Sequence, residues 1–174
     1  MNAARWRRAL LPTLLTLAWA ALDQAFKVYT LAAVPPYPER LEVVPGVLAF
    51  AYAENRGAAW GLFDGGVLPL TLLRAVVALA ILLSFWWRPP RSRLYRVAFA
   101  LIAGGALGNA IDGMVRGFVV DTLLSHTLSN LYRPFFGTDF PIFNLADVGV
   151  VSGVILLLAN GFLSRATPVS GGSP

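Results

Sequence analysis

Two aspartates lie at the polar ends of apolar segments, where they could perform acid–base chemistry. Asp121 closes the stretch 108–121, and Asp147 closes Phe143-Asn-Leu-Ala-Asp147 at the start of a hydrophobic run. An ionisable residue at membrane depth is costly and is therefore a functional hypothesis by default. Two nearby carboxylates can share one proton and activate a water molecule, which is the chemistry of aspartic peptidases. Asp121 and Asp147 are therefore the candidate catalytic pair.

The composition excludes several other chemistries. Of the 174 residues, 57% are hydrophobic and 13% are charged, whereas soluble domains carry about 25% charged residues. This indicates an integral membrane protein. The chain has no cysteine and one histidine, His126, so disulfides, thiolate metal sites and cysteine nucleophiles are excluded. A zinc site would need carboxylates for nearly every ligand. We therefore expect neither a metal nor another cofactor, and we expect His126 to be an interfacial loop residue rather than a base.

Four apolar segments are long enough to cross a bilayer, whose core needs roughly 20 residues of helix. They predict an all-α membrane protein, a bundle of four transmembrane helices, within a single domain at residues 1–166. The Gly/Ser/Pro-rich segment 167–174 predicts a flexible tail. The predicted spans are about 9–33, 68–87, 95–112 and 142–163.

The arginines predict how the spans are oriented. Eight arginines flank one side of the predicted bundle and four flank the other, so the positive-inside rule places both termini in the cytoplasm. This distribution accounts for the net charge of +5 without a nucleic-acid partner. The basic start, the apolar run and Ala18-Trp19-Ala20 also fit a cleavable signal peptide. The apolar run resumes after Lys27, which favours a full span.

This orientation gathers the polar residues at the outer end of the bundle. Asp23 and Lys27, four residues apart, share a helix face, so they could form an ion pair or take part directly in chemistry. Asn109 and Asp112 end the third span, where the helix dipole disfavours a carboxylate. Asp121 is expected in the loop that follows.

Two further local patterns bear on this outer site. Asn144 precedes Asp147 by three residues and could cap the fourth helix, which would fix Asp147 without excluding catalysis. Gly104 and Gly108 are typical of close helix packing. A turn at Pro45-Gly46 between two β-prone runs predicts a hairpin over 41–54.

Taken in order, four motifs resemble those of signal peptidase II, the bacterial lipoprotein signal peptidase. They are Asp23-Gln-x-x-Lys27, Asn55-x-Gly57-Ala-Ala-Trp-Gly61, Gly108-Asn109-x-x-Asp112 continuing through Gly117 to Asp121, and Phe143-Asn144-x-Ala-Asp147.

The resemblance implies an aspartic endopeptidase of the bacterial inner membrane, with its site at the outer face. It would cleave prolipoproteins before a diacylglyceryl-modified cysteine, and globomycin-type compounds would inhibit it. The implied fold adds a small extracytoplasmic β-cradle and a short interfacial helix to the bundle. Asp121 and Asp147 would be catalytic. The residues implied to bind substrate or support the site are Asp23, Lys27, Asn55, Gly57, Asn109, Asp112 and Asn144.

The chain departs from the family pattern in two places. The family usually has arginine directly after the position of Asp112, where this chain has Gly113. Arg116, one turn later, could serve instead. The candidate catalytic residues are also widely separated, because the second outer loop is long.

The alternatives are a four-span proton- or cation-coupled transporter and a non-catalytic membrane scaffold. A transporter needs polar groups open to both faces of the membrane, whereas here the polar residues crowd one end.

Overall fold

The computed structural model describes residues 3–57 and 67–166 and consists of five helices and one small sheet within those ranges. Four of the helices, α1, α2, α3 and α5, are long and apolar enough to cross a membrane. This confirms the predicted four-span bundle. The elements are α1 (Ala3–Ala33), β1 (Leu41–Val44), β2 (Leu48–Asn55), α2 (Val67–Trp87), α3 (Arg93–Val115), β3 (Val119–Ser125), α4 (His126–Phe136) and α5 (Leu145–Ala166).

Helix α3 lies at the centre of the bundle and packs against α1, α2 and α5. Its buried surface is made mainly of alanine and glycine, which lets the neighbouring backbones approach closely. A Cβ atom added at Gly104 would lie 2.9 Å from Cβ of Trp19 on α1, and one added at Gly105 would collide with the carbonyl oxygen of Ala146 on α5. The predicted packing role of Gly104 is confirmed. The same small residues bring the polar ends of α1, α3 and α5 together.

The predicted hairpin over 41–54 is confirmed by strands β1 and β2, which pair antiparallel with Leu41 opposite Phe50. A third strand, β3, pairs antiparallel with β2 and places Asn55 opposite Val119. Phe50 fixes this sheet to the bundle, because its ring lies against the rings of Phe26 and Tyr29 on α1.

Strand β3 corrects one expectation. Asp121 was expected in a loop, but it lies in this strand, opposite Ala53. The first four residues of β3 are all buried, so both faces of the strand are covered. The segment therefore lacks the alternation of polar and apolar residues by which a strand is recognised in a sequence.

Several helix boundaries also differ from prediction, and α1 begins at Ala3 rather than at about 9. Helix α3 runs three residues past Asp112, to Val115, and Gly117, at φ +74°, then turns the chain into β3. Helix α5 begins at Leu145 rather than at 142. Hydropathy marks the part of a helix that suits lipid, whereas capping groups decide where the helix begins and ends.

The interfacial helix that the resemblance implies corresponds to α4. Its apolar side chains at Leu131, Phe135 and Phe136 are exposed, as in a helix that lies in a membrane surface. His126 was expected in a loop but is the first residue of this helix. Its Nε2 lies 3.1 Å from a carboxylate oxygen of Glu42. The predicted tail at 167–174 and the motif residues 58–61 lie outside the described residues.

Candidate active site

Asp147 is held at the first turn of α5 by reciprocal hydrogen bonds with Asn144. The backbone N–H of Asp147 donates to Oδ1 of Asn144 at 3.0 Å, and the backbone N–H of Asn144 donates to Oδ2 of Asp147 at 3.1 Å. The predicted capping role of Asn144 is therefore confirmed. The other oxygen of Asp147, Oδ1, accepts a hydrogen bond of 2.9 Å from Nδ2 of Asn109 on α3. The cap formed by Asn144 and the side-chain amide of Asn109 together fix the orientation of the Asp147 carboxylate.

Asp121 lies on β3 and is 5% exposed. Its Oδ1 accepts a hydrogen bond of 2.8 Å from Nδ2 of Asn144, and its Oδ2 accepts one of 3.3 Å from Nδ2 of Asn55 at the end of β2. Burial, followed by the nearby charge of Asp147, raises the pKa of Asp121 to about 7. These two causes outweigh the amide hydrogen bonds, which lower it.

Asn144 joins the two aspartates, because its side chain bonds to both and its backbone N–H adds a second bond to Asp147. The structure thus brings together two residues that are 26 positions apart in the sequence. The two carboxylates interact, because the charge of Asp147 contributes to the raised pKa of Asp121.

A cluster of buried charges lies directly behind this pair. Nζ of Lys27 is 2.8 Å from a carboxylate oxygen of Asp23 and 2.9 Å from one of Asp112, and all three side chains are fully buried. The predicted ion pair between Asp23 and Lys27 is confirmed, with Asp112 as a second partner. Lys27 also donates a hydrogen bond of 2.8 Å to Oδ1 of Asn109, whose amide nitrogen bonds to Asp147. Lys27 therefore links Asp23 and Asp112, which we call the structural carboxylates, to the candidate site.

The two structural carboxylates fix the backbone beside the catalytic candidates. Asp112 accepts a hydrogen bond from the backbone N–H of Val120, at 2.9 Å. Asp23 accepts one from the backbone N–H of Ala146, at 2.8 Å. Val120 directly precedes Asp121 and Ala146 directly precedes Asp147, so the same arrangement occurs twice. These backbone contacts were not predicted from the sequence, because a main-chain donor leaves no trace in residue type.

Arg116 forms an ion pair with Asp112 and also donates to Oε1 of Gln24 at 3.0 Å. That Arg116 serves in place of the arginine usual at position 113 stays a prediction. Gly113 packs against α2, and a Cβ atom there would lie 2.9 Å from Cβ of Thr71. A side chain at position 113 would therefore displace α2.

Gln24 is a site residue that sequence reasoning did not single out. Its Nε2 donates to Asp112 at 3.1 Å and to the carbonyl oxygen of Gly108 at 3.0 Å. The available signal was its place in the motif Asp23-Gln-x-x-Lys27. Its amide also completes the shell around Asp112, whose oxygens accept from Lys27, Arg116 and the backbone of Val120 as well.

Described residues form three cavities that adjoin the aspartates. The most polar of them, about 380 Å³, is lined by Asn55, Gly57 and Asp121. The N–H of Gly57 donates to Oδ1 of Asn55 at 3.3 Å. A second cavity, about 250 Å³, has apolar walls that include Phe140 and Phe143 and reaches Asp147.

The third cavity, about 320 Å³, lies on the α2 side of Asp147 and is lined in part by Leu73, Arg74 and Asn109. Within the described ranges, no carboxylate lies within ion-pair distance of Arg74.

Comparisons with known proteins give concordant matches over most of the chain. The family model described as signal peptidase (SPase) II matches residues 15–163. A lipoprotein signal peptidase of Deinococcus radiodurans is 44% identical over 152 residues, which cover 87% of this chain and 79% of that protein. One from Microcystis aeruginosa is 36% identical and covers 81% and 84% of the two chains.

Two solved structures described as bacterial membrane enzymes share the fold. One has a TM-score of 0.75 at 28% identity and covers 94% of both chains. The other has a TM-score of 0.71 at 31% identity and covers 90% of this chain and 94% of that one. With four membrane-spanning helices and a family model matched over most of its length, the chain belongs to the signal peptidase II family and is a multi-pass membrane protease.

Proposed function

We propose that this protein is an intramembrane aspartic endopeptidase that cleaves diacylglyceryl-modified prolipoproteins just before the lipidated cysteine. The observation that carries the proposal is the pair Asp121 and Asp147, joined through Asn144 in a site with both polar and apolar walls. The names of the relatives supply the substrate class, since those proteins are called lipoprotein signal peptidases.

The different surroundings of the two aspartates assign their roles. Asp121 is buried and its pKa is about 7, so it holds the shared proton near neutral pH. Asp147 is partly exposed, and its carboxylate accepts hydrogen bonds from Asn109 and from the backbone of Asn144. Because the shared proton resides on Asp121, Asp147 is the member of the pair that can accept a proton from water. Asp147 is accordingly the general base and Asp121 the general acid.

In the proposed reaction, Asp147 removes a proton from a water molecule as the water oxygen attacks the carbonyl carbon of the scissile bond. Asp121 donates its proton to the carbonyl oxygen, which yields a neutral gem-diol intermediate. Asp147 then protonates the amide nitrogen, and the carbon–nitrogen bond breaks. Asp121 recovers a proton from one of the two hydroxyl groups of the gem-diol as the new carboxyl group forms. The dyad ends with the single proton it began with, so no metal is required.

The cavities around the dyad fit a substrate with both peptide and lipid parts. The polar cavity beside Asn55, Gly57 and Asp121 offers amide groups for a peptide backbone. The two apolar cavities both reach Asp147 and are lined by Val151 of α5, so acyl chains can remain in an apolar environment while the bond is cut. A globomycin-type inhibitor would bind across the same cavities.

We place the protein in the bacterial inner membrane, with the dyad at the outer face and both termini in the cytoplasm. The proposal rests on the excess of arginine at the opposite end of the bundle. An exported prolipoprotein presents its cleavage site at the outer face, so this orientation suits the reaction.

The transporter alternative is less well supported. Within the described ranges, the fully or nearly fully buried charged side chains are Asp23, Lys27, Asp112 and Asp121. All four belong to the cluster at one end of the bundle. A proton or cation path would need such groups along its whole length.

Cleavage of a diacylglyceryl-modified peptide by the purified protein in detergent tests the proposal. Asp121→Asn and Asp147→Asn should each lower kcat by about 3 to 4 orders of magnitude, the scale of losing one member of a catalytic unit. Asp139→Asn is the matched control, because Asp139 is exposed and pairs with Arg133 on the surface. Wild-type protein should not cleave the same peptide without its lipid, and a chelator should leave turnover unchanged. Near-normal turnover by either dyad variant would refute the assignment.

A further inference from the structure

At the end of the bundle opposite to the dyad, a cavity of about 420 Å³ lies between the first halves of α1 and α3. Asp23 is sixteen residues further along α1 than Arg7, which is about 24 Å of helix. The cavity therefore lies well away from the catalytic cluster. Its lining residues are Arg7, Leu11, Pro12, Leu15, Arg93, Arg96 and Val97.

Helical spacing explains why these residues converge. Arg7, Leu11 and Leu15 succeed one another at intervals of four and therefore share one face of α1. On α3, Arg96 and Val97 follow Arg93 by three and four residues, so all three share one face of that helix. Each helix contributes arginine at its start and apolar side chains deeper in the bundle.

The sequence around this cavity contains no acidic residue. Residues 1–22, 65–111 and 148–174 contain no aspartate or glutamate, so no acidic residue is close in sequence to either helix start. Arg96 donates hydrogen bonds to the carbonyl oxygens of Pro90 and Arg91, at 2.9 and 2.8 Å, which hold its guanidinium in place without neutralising it. Arg7 and Arg93 are exposed. Three positive charges thus face one cavity with no acidic partner among the described residues.

The apolar part of the cavity identifies the kind of anion that would fit. Leu11 and Val97 are 62% and 41% exposed on segments that cross the membrane. An occupant therefore meets arginines at the helix ends and a hydrocarbon-lined wall that begins about one turn deeper. A phospholipid has this layout, because its phosphate lies at the membrane surface and its acyl chains lie below. Inorganic phosphate would leave the apolar wall unused.

We propose that this cavity is a binding site for an anionic phospholipid, whose phosphodiester group contacts Arg7, Arg93 and Arg96 and whose acyl chain lies along Leu11, Leu15 and Val97. Basic pockets between transmembrane helices are suited to anionic lipid headgroups. A lipid bound here would bridge α1 and α3, the two helices that carry Lys27 and Asp112 at their other ends.

Lipid-dependent thermal stability of the delipidated full-length protein in detergent tests this site. Phosphatidylglycerol should raise Tm in a saturable manner, since a ligand that binds only the folded state stabilises it by mass action. Phosphatidylcholine, inorganic phosphate and the deacylated glycerol-phosphate headgroup should not do so at the same concentrations. If the free headgroup or phosphate protects equally well, the site binds an anion and not a lipid, and the proposal fails.

Two double variants with the same change in net charge distinguish binding in this cavity from a general electrostatic attraction between the protein and anionic lipid. Arg7→Gln with Arg93→Gln should raise the half-saturating concentration of phosphatidylglycerol about ten-fold or more, because each arginine near a lipid surface contributes about 1 kcal/mol. Arg8→Gln with Arg91→Gln removes two arginines that do not line the cavity and should have little effect. Equal losses in the two variants, with equal Tm in the absence of lipid, would overturn the proposal.

Discussion

The carboxylate of Asp112 accepts a hydrogen bond of 2.9 Å from the backbone N–H of Val120, the residue that directly precedes Asp121. Asp23 makes the equivalent bond to Ala146, which directly precedes Asp147. Lys27 lies between the two structural carboxylates, within 2.9 Å of both. The buried charges therefore hold strand β3 and the start of α5 at a fixed separation, and the positions of the catalytic candidates depend on them.

The first prediction concerns removal of this lysine. Lys27→Met leaves two carboxylates buried without their common cation, whereas Asp23→Asn leaves Lys27 still paired with Asp112. Breaking a buried pair typically costs about 3 to 5 kcal/mol. Lys27→Met should therefore lower the thermal stability in detergent more than Asp23→Asn does.

The double variant Asp23→Asn/Lys27→Met supplies the control for that prediction. Residues in one network are not independent, so the loss of stability in the double variant should be smaller than the sum of the single losses. Strictly additive losses would show that the two side chains are not coupled, which would contradict the ion pair of 2.8 Å.

The pH dependence of cleavage provides a second prediction. The proposed mechanism needs a proton on Asp121, whose pKa burial and the charge of Asp147 raise to about 7. The value of kcat/KM should therefore be highest below that pH and fall as the pH rises through it, about ten-fold per unit at the limit. A peptide substrate without ionisable side chains, assayed from pH 5 to 9, provides the measurement.

Asn55 offers a way to shift the alkaline limb of the pH profile, the part in which kcat/KM falls as the pH rises. Its amide donates to Asp121 at 3.3 Å and stabilises the ionised form, which lowers the pKa. Asn55→Ala removes this donor, so the alkaline limb should shift to higher pH. A shift to lower pH, or a limb that does not respond, would show that another group controls the profile.

Much of this arrangement could be predicted from the sequence, because charge in an apolar chain is conspicuous. The pairing of Asp23 with Lys27 followed from a spacing of four on one helix, and the capping of Asp147 by Asn144 followed from a spacing of three at a helix start. Strand β3 could not be predicted, since both of its faces are buried and its residues show no alternation. The backbone bonds of Val120 and Ala146 depend on tertiary packing, which local patterns do not encode.

The third prediction concerns Arg116, which pairs with Asp112 and contacts Gln24. Arg116→Gln should lower kcat/KM by about ten- to a hundred-fold, because Asp112 loses a charged partner that helps to hold it in place and a small misplacement of catalytic groups can cost about a hundred-fold. Asp112 keeps Lys27 and the backbone of Val120 as partners, so activity should fall without being abolished.

Rescue of that variant depends on the space beside Gly113. Adding Gly113→Arg to Arg116→Gln should not restore activity, because the new side chain collides with Thr71 on α2. Further addition of Thr71→Gly makes room and should restore part of kcat/KM. Rescue by Gly113→Arg alone would show that α2 moves freely and that Gly113 is not required by packing.

The last prediction concerns orientation, on which the proposed function depends. Eight arginines lie at one end of the bundle and four at the other, so the dyad should face outward. The chain contains no cysteine, which permits labelling of single introduced thiols. Ser92 precedes α3 and Thr138 lies between α4 and α5; both are exposed. In intact cells, a membrane-impermeant thiol reagent should label Thr138→Cys and not Ser92→Cys, and both should react after the membrane is opened. Labelling of Ser92→Cys alone in intact cells would place Asp121 and Asp147 in the cytoplasm, where an exported lipoprotein precursor does not present its cleavage site.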